Sequence, residues 1–260
     1  MASPFSRLRA YDWRSRVPVV GAAGFFGVLA LQIPYPLLSS AGQLLVTRWS
    51  VVAFFATSIA HAWWSRGPGA VLALVVVGVG GGFVAEVVGS RTGFPFGRYD
   101  YTDALGWRVS GVPVVVPLAW AMFGWLALLA AQHVGGRWPG VALGAAILVA
   151  WDLFLDPQMV RVGGWVWRDT VGPTLHGIPV VNSVGWFVVG ALMIGALLVA
   201  VPPRRPLRFD DLGWALLGWT WFSESVLFAV FFHRPSVSLL ASPVLAFALW
   251  VTWRLGRASP

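Results

Sequence analysis

Four carboxyl groups stand within or at the edge of long apolar runs: Glu86, Asp152, Asp156 and Glu224. A charged side chain near the bilayer centre is costly, so such residues face the interior of a helix bundle and mark functional sites. A carboxyl group desolvated in this way can keep its proton at neutral pH and deliver it to a weak base. The spacing is helical. Gly78, Gly82, Glu86 and Ser90 lie four apart, and Gly140, Gly144, Leu148, Asp152 and Asp156 form the same kind of row. Small residues at this spacing let helices approach closely. Asp152 lies one turn inside Asp156, so it is expected to be the more desolvated of the two and the proton donor, with Glu86 as its matched partner. Asp156 precedes Pro157 at the expected helix end, where water is closer, and suits orienting a water molecule. Glu224 stands on another segment beside Trp221 and Phe228 at helical spacing. The competing reading of each acid is structural: an ion pair with Arg91, Arg98 or Arg161, or a helix cap.

The acids recur with aromatic residues in an internal repeat. Residues 78–124 align with 144–190 at a constant offset of 66, without gaps. Glu86 matches Asp152, Tyr99 and Tyr101 match Trp165 and Trp167, Asp103 matches Asp169, and Trp120 matches Trp186. Each unit reads as helix, loop, helix. Two crossings return the chain to its starting side, so the repeats are parallel and both loops, 90–111 and 156–177, lie at one membrane face. Loops this long are functional or disordered, and their aromatic content argues against disorder. Tyr99, Tyr101, Trp165, Trp167, Trp120, Trp186, Asn182 and Arg98 are the expected substrate-binding residues. The bland alternative is a duplicated scaffold with interfacial aromatic belts.

Positioning these residues requires a membrane bundle. Hydrophobic residues make up 58% of the 260 and charged residues 11%. That leaves too little charge to cover a surface in water. Long continuous apolar runs indicate helices rather than a barrel. Eight runs are long enough to span: Val17–Leu38, Leu44–Trp64, Ala70–Gly89, Val112–Ala131, Gly140–Leu155, Ile178–Val201, Leu212–Phe232 and Val237–Leu255. The expected fold is therefore an all-α polytopic membrane bundle, one integral membrane domain over residues 1–260. The first run follows Arg7, Arg9, Arg14 and Arg16 but is too long for a cleaved signal segment. With those residues, Arg204, Arg205, Arg208 and Arg257 on the inner side, arginines divide eleven inside to seven outside. This predicts a cell-membrane protein with both termini cytoplasmic.

Several chemistries have no support. There are no cysteines, which removes thiolate catalysis and Cys-ligated metals. His61, His133, His176 and His233 show no metal-ligand spacing, and no metal is expected. No nucleotide or dinucleotide fingerprint occurs, so no cofactor is expected. The formal charge is +8, but the arginines sit at the ends of apolar runs, which fits lipid headgroups rather than nucleic acid. Nothing indicates an oligomeric state.

The strings FPFGRYDYT (94–102), GVPVVVPLAW (111–120), DLFLDP (152–157), GGWVW (163–167) and GIPVVNSVGW (177–186) together resemble the membrane carotenoid hydratases, the bisanhydrobacterioruberin hydratase and gamma-carotene 1'-hydroxylase group. The resemblance covers roughly residues 75–195. It implies water addition to the terminal double bond of a long acyclic carotenoid end, fifty-carbon or gamma-carotene-like, with membrane lipid as the surroundings. The family's catalytic residues are not carried over; the assignments above rest on chemistry. Protonation of a trisubstituted alkene gives a tertiary cation, aromatic faces stabilise it, and water captures it with a carboxylate as base. A carotenoid end-group cyclase would use the same cation and exclude water. A transporter or lipid-binding protein would share the intramembrane acids but not the aromatic loops at one face.

Overall fold

A computed structural model describes residues 17–134, 136–168, 172–203 and 211–258. The expected inner-side residues Arg7, Arg9, Arg14, Arg16, Arg204, Arg205 and Arg208, the Arg257 side chain, and the repeat position Asp169 lie outside the described residues. The fold is all-α and polytopic. Its helices are α1 (Val17–Gln32), α2 (Ser40–Arg66), α3 (Pro68–Thr92), α4 (Val115–Ala131), α5 (Arg137–Val162), α6 (Val180–Ala200), α7 (Asp211–Phe231) and α8 (Pro235–Ala258). Seven helical segments are long and apolar enough to cross a membrane, the first only when α1 is taken together with the turn that follows it, as Val19–Leu37; α4, with 17 residues, is shorter. It need not match the bilayer thickness by itself, because protein surrounds it. Every residue from Trp120 to Ala131 is buried, and a helix apolar on all sides belongs in a core. Helices α2, α3, α5 and α6 pack around it, and α5 also packs on α6 and α8.

Small residues set these distances. A β-carbon on Gly82 would come within 2.7 Å of Trp120 Cβ, and one on Gly78 within 2.9 Å of the Ala121 backbone. On α5, a β-carbon at Gly144 would lie 2.9 Å from Ile194. The two rows of small residues thus press α3 onto α4, and α5 onto α6. Both acid-bearing helices are held against this core.

The element boundaries depart from expectation where proline acts. The first run does not continue to Leu38 as one helix. It stops at Gln32, and Tyr35–Leu37 forms a 3-10 turn containing Pro36. The fourth and sixth runs begin later than expected, because Val112–Pro113 and Ile178–Pro179 are short strands; the residue before a proline is pushed toward extended backbone. The fifth run shows the opposite. Helix α5 passes through Pro157 and ends at Val162. Proline is tolerated inside membrane helices when neighbours compensate for the lost bond. The stop comes at Gly163, in the left-handed region at φ 79°.

The loops between α3 and α4 and between α5 and α6 carry the remaining strands: β1 (Tyr99–Tyr101), β2 (Arg108–Val109), β3 (Val112–Pro113), β4 (Trp165–Trp167), β5 (Thr174–Leu175) and β6 (Ile178–Pro179). Strands β2 and β3 form one hairpin and β5 and β6 another. Ser110 and His176 occupy the same place in these turns with φ of 52° and 54°. Each is followed by a glycine at positive φ, the pattern of a tight hairpin turn.

Candidate active site

The two loops meet. Strand β1 pairs antiparallel with β4, placing Tyr99 opposite Trp167, Asp100 opposite Val166 and Tyr101 opposite Trp165. The 66-residue offset carries Tyr101 onto Trp167 and Tyr99 onto Trp165, so the pairing is symmetric under it. Side chains alternate along a strand. Tyr99, Tyr101, Trp165 and Trp167 therefore share the face turned to the helices. Asp100 is on the other face, paired with Arg168.

The inward aromatics hold the acids. Glu86 accepts from Tyr99 Oη (2.5 Å) and Tyr101 Oη (2.6 Å) at Oε2, and from Trp120 Nε1 (2.8 Å) at Oε1. Asp156 accepts from Trp165 Nε1 (2.6 Å) and Trp167 Nε1 (3.1 Å) at Oδ1. The amide of Asn182 donates to Asp152 Oδ2 and to Asp156 Oδ2, each at 2.7 Å. Among the described residues no hydrogen bond reaches Asp152 Oδ1. Burial raises the phenols of Tyr99 and Tyr101 above their ordinary range, and the adjacent Glu86 carboxyl adds to the effect. Both keep the proton they donate.

The competing reading of buried ion pairs with Arg91, Arg98 or Arg161 is not met: among the described residues no salt bridge joins an arginine to Glu86, Asp152, Asp156 or Glu224. Phenols, indoles and one carboxamide take that place at Glu86, Asp152 and Asp156. Two expectations about Asp156 also change. It is as buried as Asp152, each 2% exposed, because α5 continues past Pro157 instead of ending there. And the loop aromatics of the second segment hold Asp156, whereas sequence alignment matches Glu86 with Asp152.

Aromatic faces complete the enclosure. Trp120 and Trp186 stack with centroids 3.8 Å apart and planes at 12°. Trp151 meets Trp186 edge-on at 6.0 Å, and Phe96 lies 6.2 Å from Trp120. Phe96, Trp120 and Trp186 border a cavity of about 60 Å³. Glu86, Asp152, Asp156, Tyr99, Tyr101, Trp120, Trp165, Trp167, Trp186 and Asn182 all line it.

Two expected residues are elsewhere. Arg98 is exposed; it precedes β1 by one residue and so falls on the outward side, with its stem over Gly93. Glu224 lines a second cavity between α1, α2, α5 and α7. Conversely, Phe96, Thr47 and Val51 line the first cavity without having been expected. Phe96 lies within the quoted string at 94–102. Thr47 and Val51 belong to α2, outside both repeat units, and share a helix face at the spacing of one turn.

The profile of the carotenoid biosynthesis protein family matches residues 43–252. The chain belongs to that family. The match includes both loops and seven of the eight helices, so the chain is a multi-pass membrane protein with a role in carotenoid modification. A relative named bisanhydrobacterioruberin hydratase, from Haloarcula japonica, is 30% identical over 115 residues. That alignment covers 42% of this chain and 38% of the relative. No solved structure matches the chain.

Proposed function

We propose that the chain is a cofactor-independent carotenoid hydratase, a hydro-lyase that adds water to the terminal double bond of an acyclic carotenoid end group. One observation carries this reading. Three carboxyl groups, held by neutral donors and by no cation among the described residues, surround one aromatic cavity. Such a site can give a proton to an alkene and keep the resulting cation from escaping.

Asp152 is the proton donor, since its Oδ1 is the oxygen left without a hydrogen bond. Its O–H bond breaks, and a C–H bond forms at the less substituted alkene carbon. The positive charge rests on the tertiary carbon, beside the ring faces of Trp186 and Tyr99. A water oxygen then bonds to that carbon. The water proton passes to the Asp156 carboxylate and returns to Asp152 across the pair that Asn182 bridges. The sum is one alkene plus one water giving one tertiary alcohol. Glu86, on the opposite wall, fixes Tyr99, Tyr101 and Trp120 around the cation. The matched segments are one integral membrane domain that arose by duplication, with both termini on the cytoplasmic side of the cell membrane.

The test is expression in a host that makes acyclic carotenoids, with pigment masses read before and after. A product heavier by one water supports the reading. An isomer of unchanged mass with one ring more would replace it with an end-group cyclase.

A further inference from the structure

The second cavity, of about 230 Å³, is larger than the first. The two share Thr47, Val51, Leu155 and Met159, so these four side chains form a neck between them. The polar groups around the two cavities differ in a systematic way. Each acid of the first cavity accepts hydrogen bonds. In the second, Ser50 Oγ and Glu224 Oε2 are buried without a hydrogen-bond partner among the described residues, and Tyr35 Oη makes no well-formed hydrogen bond although the side chains of Gln158 and Thr47 stand close to it. Ser50 is an exception to its neighbours' habit. Thr47, Thr57, Thr220, Ser225 and Thr252 each donate to the carbonyl four residues back in their own helix. An unmade buried hydrogen bond is expensive, and three around one void call for a ligand that both donates and accepts. The lining also carries Gln32, Thr47, Gln158, Thr220 and Ser223, and its remaining side chains, including Met122, Trp151 and Leu227, are largely apolar. The cavity also reaches Ile33, just after α1, and Phe222 and Phe231 of α7, which are exposed on the outer surface of the bundle. A ligand entering there comes from the bilayer.

We infer that the second cavity binds a long apolar molecule ending in an uncharged hydroxyl group, which Tyr35, Ser50 and Glu224 hold. On the hydratase reading, which this assignment of source rests on, the ligand is the newly hydrated carotenoid end, drawn from the first cavity through the neck. A hydroxylated membrane lipid has the same chemistry.

The test is equilibrium binding to the full-length protein in lipid nanodiscs, read by energy transfer from tryptophan to the polyene. The probes are an acyclic carotenoid bearing one terminal tertiary alcohol and the same polyene without oxygen. The alcohol is expected to bind about tenfold or more tightly, the effect of one well-made buried hydrogen bond. Tyr35→Phe, Ser50→Ala and Glu224→Leu should each reduce this preference while leaving the affinity for the hydrocarbon. Because each removes an unpartnered group, the melting temperature should hold or rise, whereas removal of a merely structural group would lower it. Equal affinity for the two probes, or a preference that survives all three substitutions, overturns the inference. Competition by a straight-chain alcohol of similar length supports the hydroxyl site and assigns it to a membrane lipid. The outcomes separate from those of the hydratase reading: alcohol preference without turnover sinks only the latter, and turnover without preference sinks only the former.

Discussion

The indole of Trp120 lies flat on that of Trp186, with ring centres 3.8 Å apart. The pair forms a wall of the first cavity. If the wall stabilises a cation, the ring face matters more than the bulk. A desolvated cation–π contact contributes about 2 kcal/mol, so Trp186→Leu should slow turnover by about thirtyfold. Trp186→Phe should recover a good part of that loss. Equal activity of the two variants, at equal membrane yield, would remove the ring face from the mechanism.

In the proposed mechanism Asp152 is the proton donor and Asp156 the water-orienting group. Asp152→Asn keeps shape and removes the acidic proton; turnover should vanish while the carotenoid still binds. Asp156→Asn should leave measurable turnover. Product formation by membranes carrying each variant checks this, and near-normal turnover in Asp152→Asn would disprove the donor assignment.

Asn182 is the single donor common to both aspartates. Hydrogen bonds to charged groups contribute about 1.5–3 kcal/mol. Asn182→Ala should therefore lower turnover roughly ten- to hundredfold, with substrate affinity much less affected. A change confined to affinity would make Asn182 a binding residue only.

Oxygen labelling tests the class of reaction. With water enriched in heavy oxygen the new hydroxyl should carry the label; with enriched dioxygen it should not. Label from dioxygen would indicate a monooxygenase.

Close packing between α3 and α4 gives a prediction independent of chemistry. Gly82→Val places a side chain where Trp120 Cβ already lies within 2.7 Å of a β-carbon, while Gly81 has open space around it. Gly82→Val should greatly reduce the yield of folded protein in membranes, and Gly81→Ala should leave it unchanged or higher. Quantitative blotting of the membrane fraction reads both.

Much of the cavity was legible because two periodicities converge on it. The spacing of Gly78, Gly82 and Glu86 placed an acid on a packed face, and the matched aromatics marked both loops. What escaped depended on tertiary context. Pro157 looks like a helix end, yet α5 continues through it because the surrounding bundle supports the turn, and this buries Asp156. Arg98 reads as a cation near a site, but strand alternation turns it outward. Glu224 looks equivalent to the other acids until Leu155 and Met159 are seen to stand between the cavities. The donors to the acids were hardest to anticipate, since arginines are nearby in sequence while phenols and indoles make the bonds.

The β1–β4 pairing joins residues more than sixty positions apart, and this constrains the order of events on the ribosome. When α3 and α4 have entered the membrane, Glu86 can already meet Tyr99, Tyr101 and Trp120, all from its own segment. The opposite wall does not yet exist. An arrested chain that ends before Trp165 therefore presents an open, half-built cleft with β1 as a free edge. Insertion of α5 and α6 supplies the missing strand and the second tryptophan of the stack together. Closure of the first cavity is thus a late event of synthesis, and nascent chains stalled earlier present a bare strand to the quality-control machinery of the membrane.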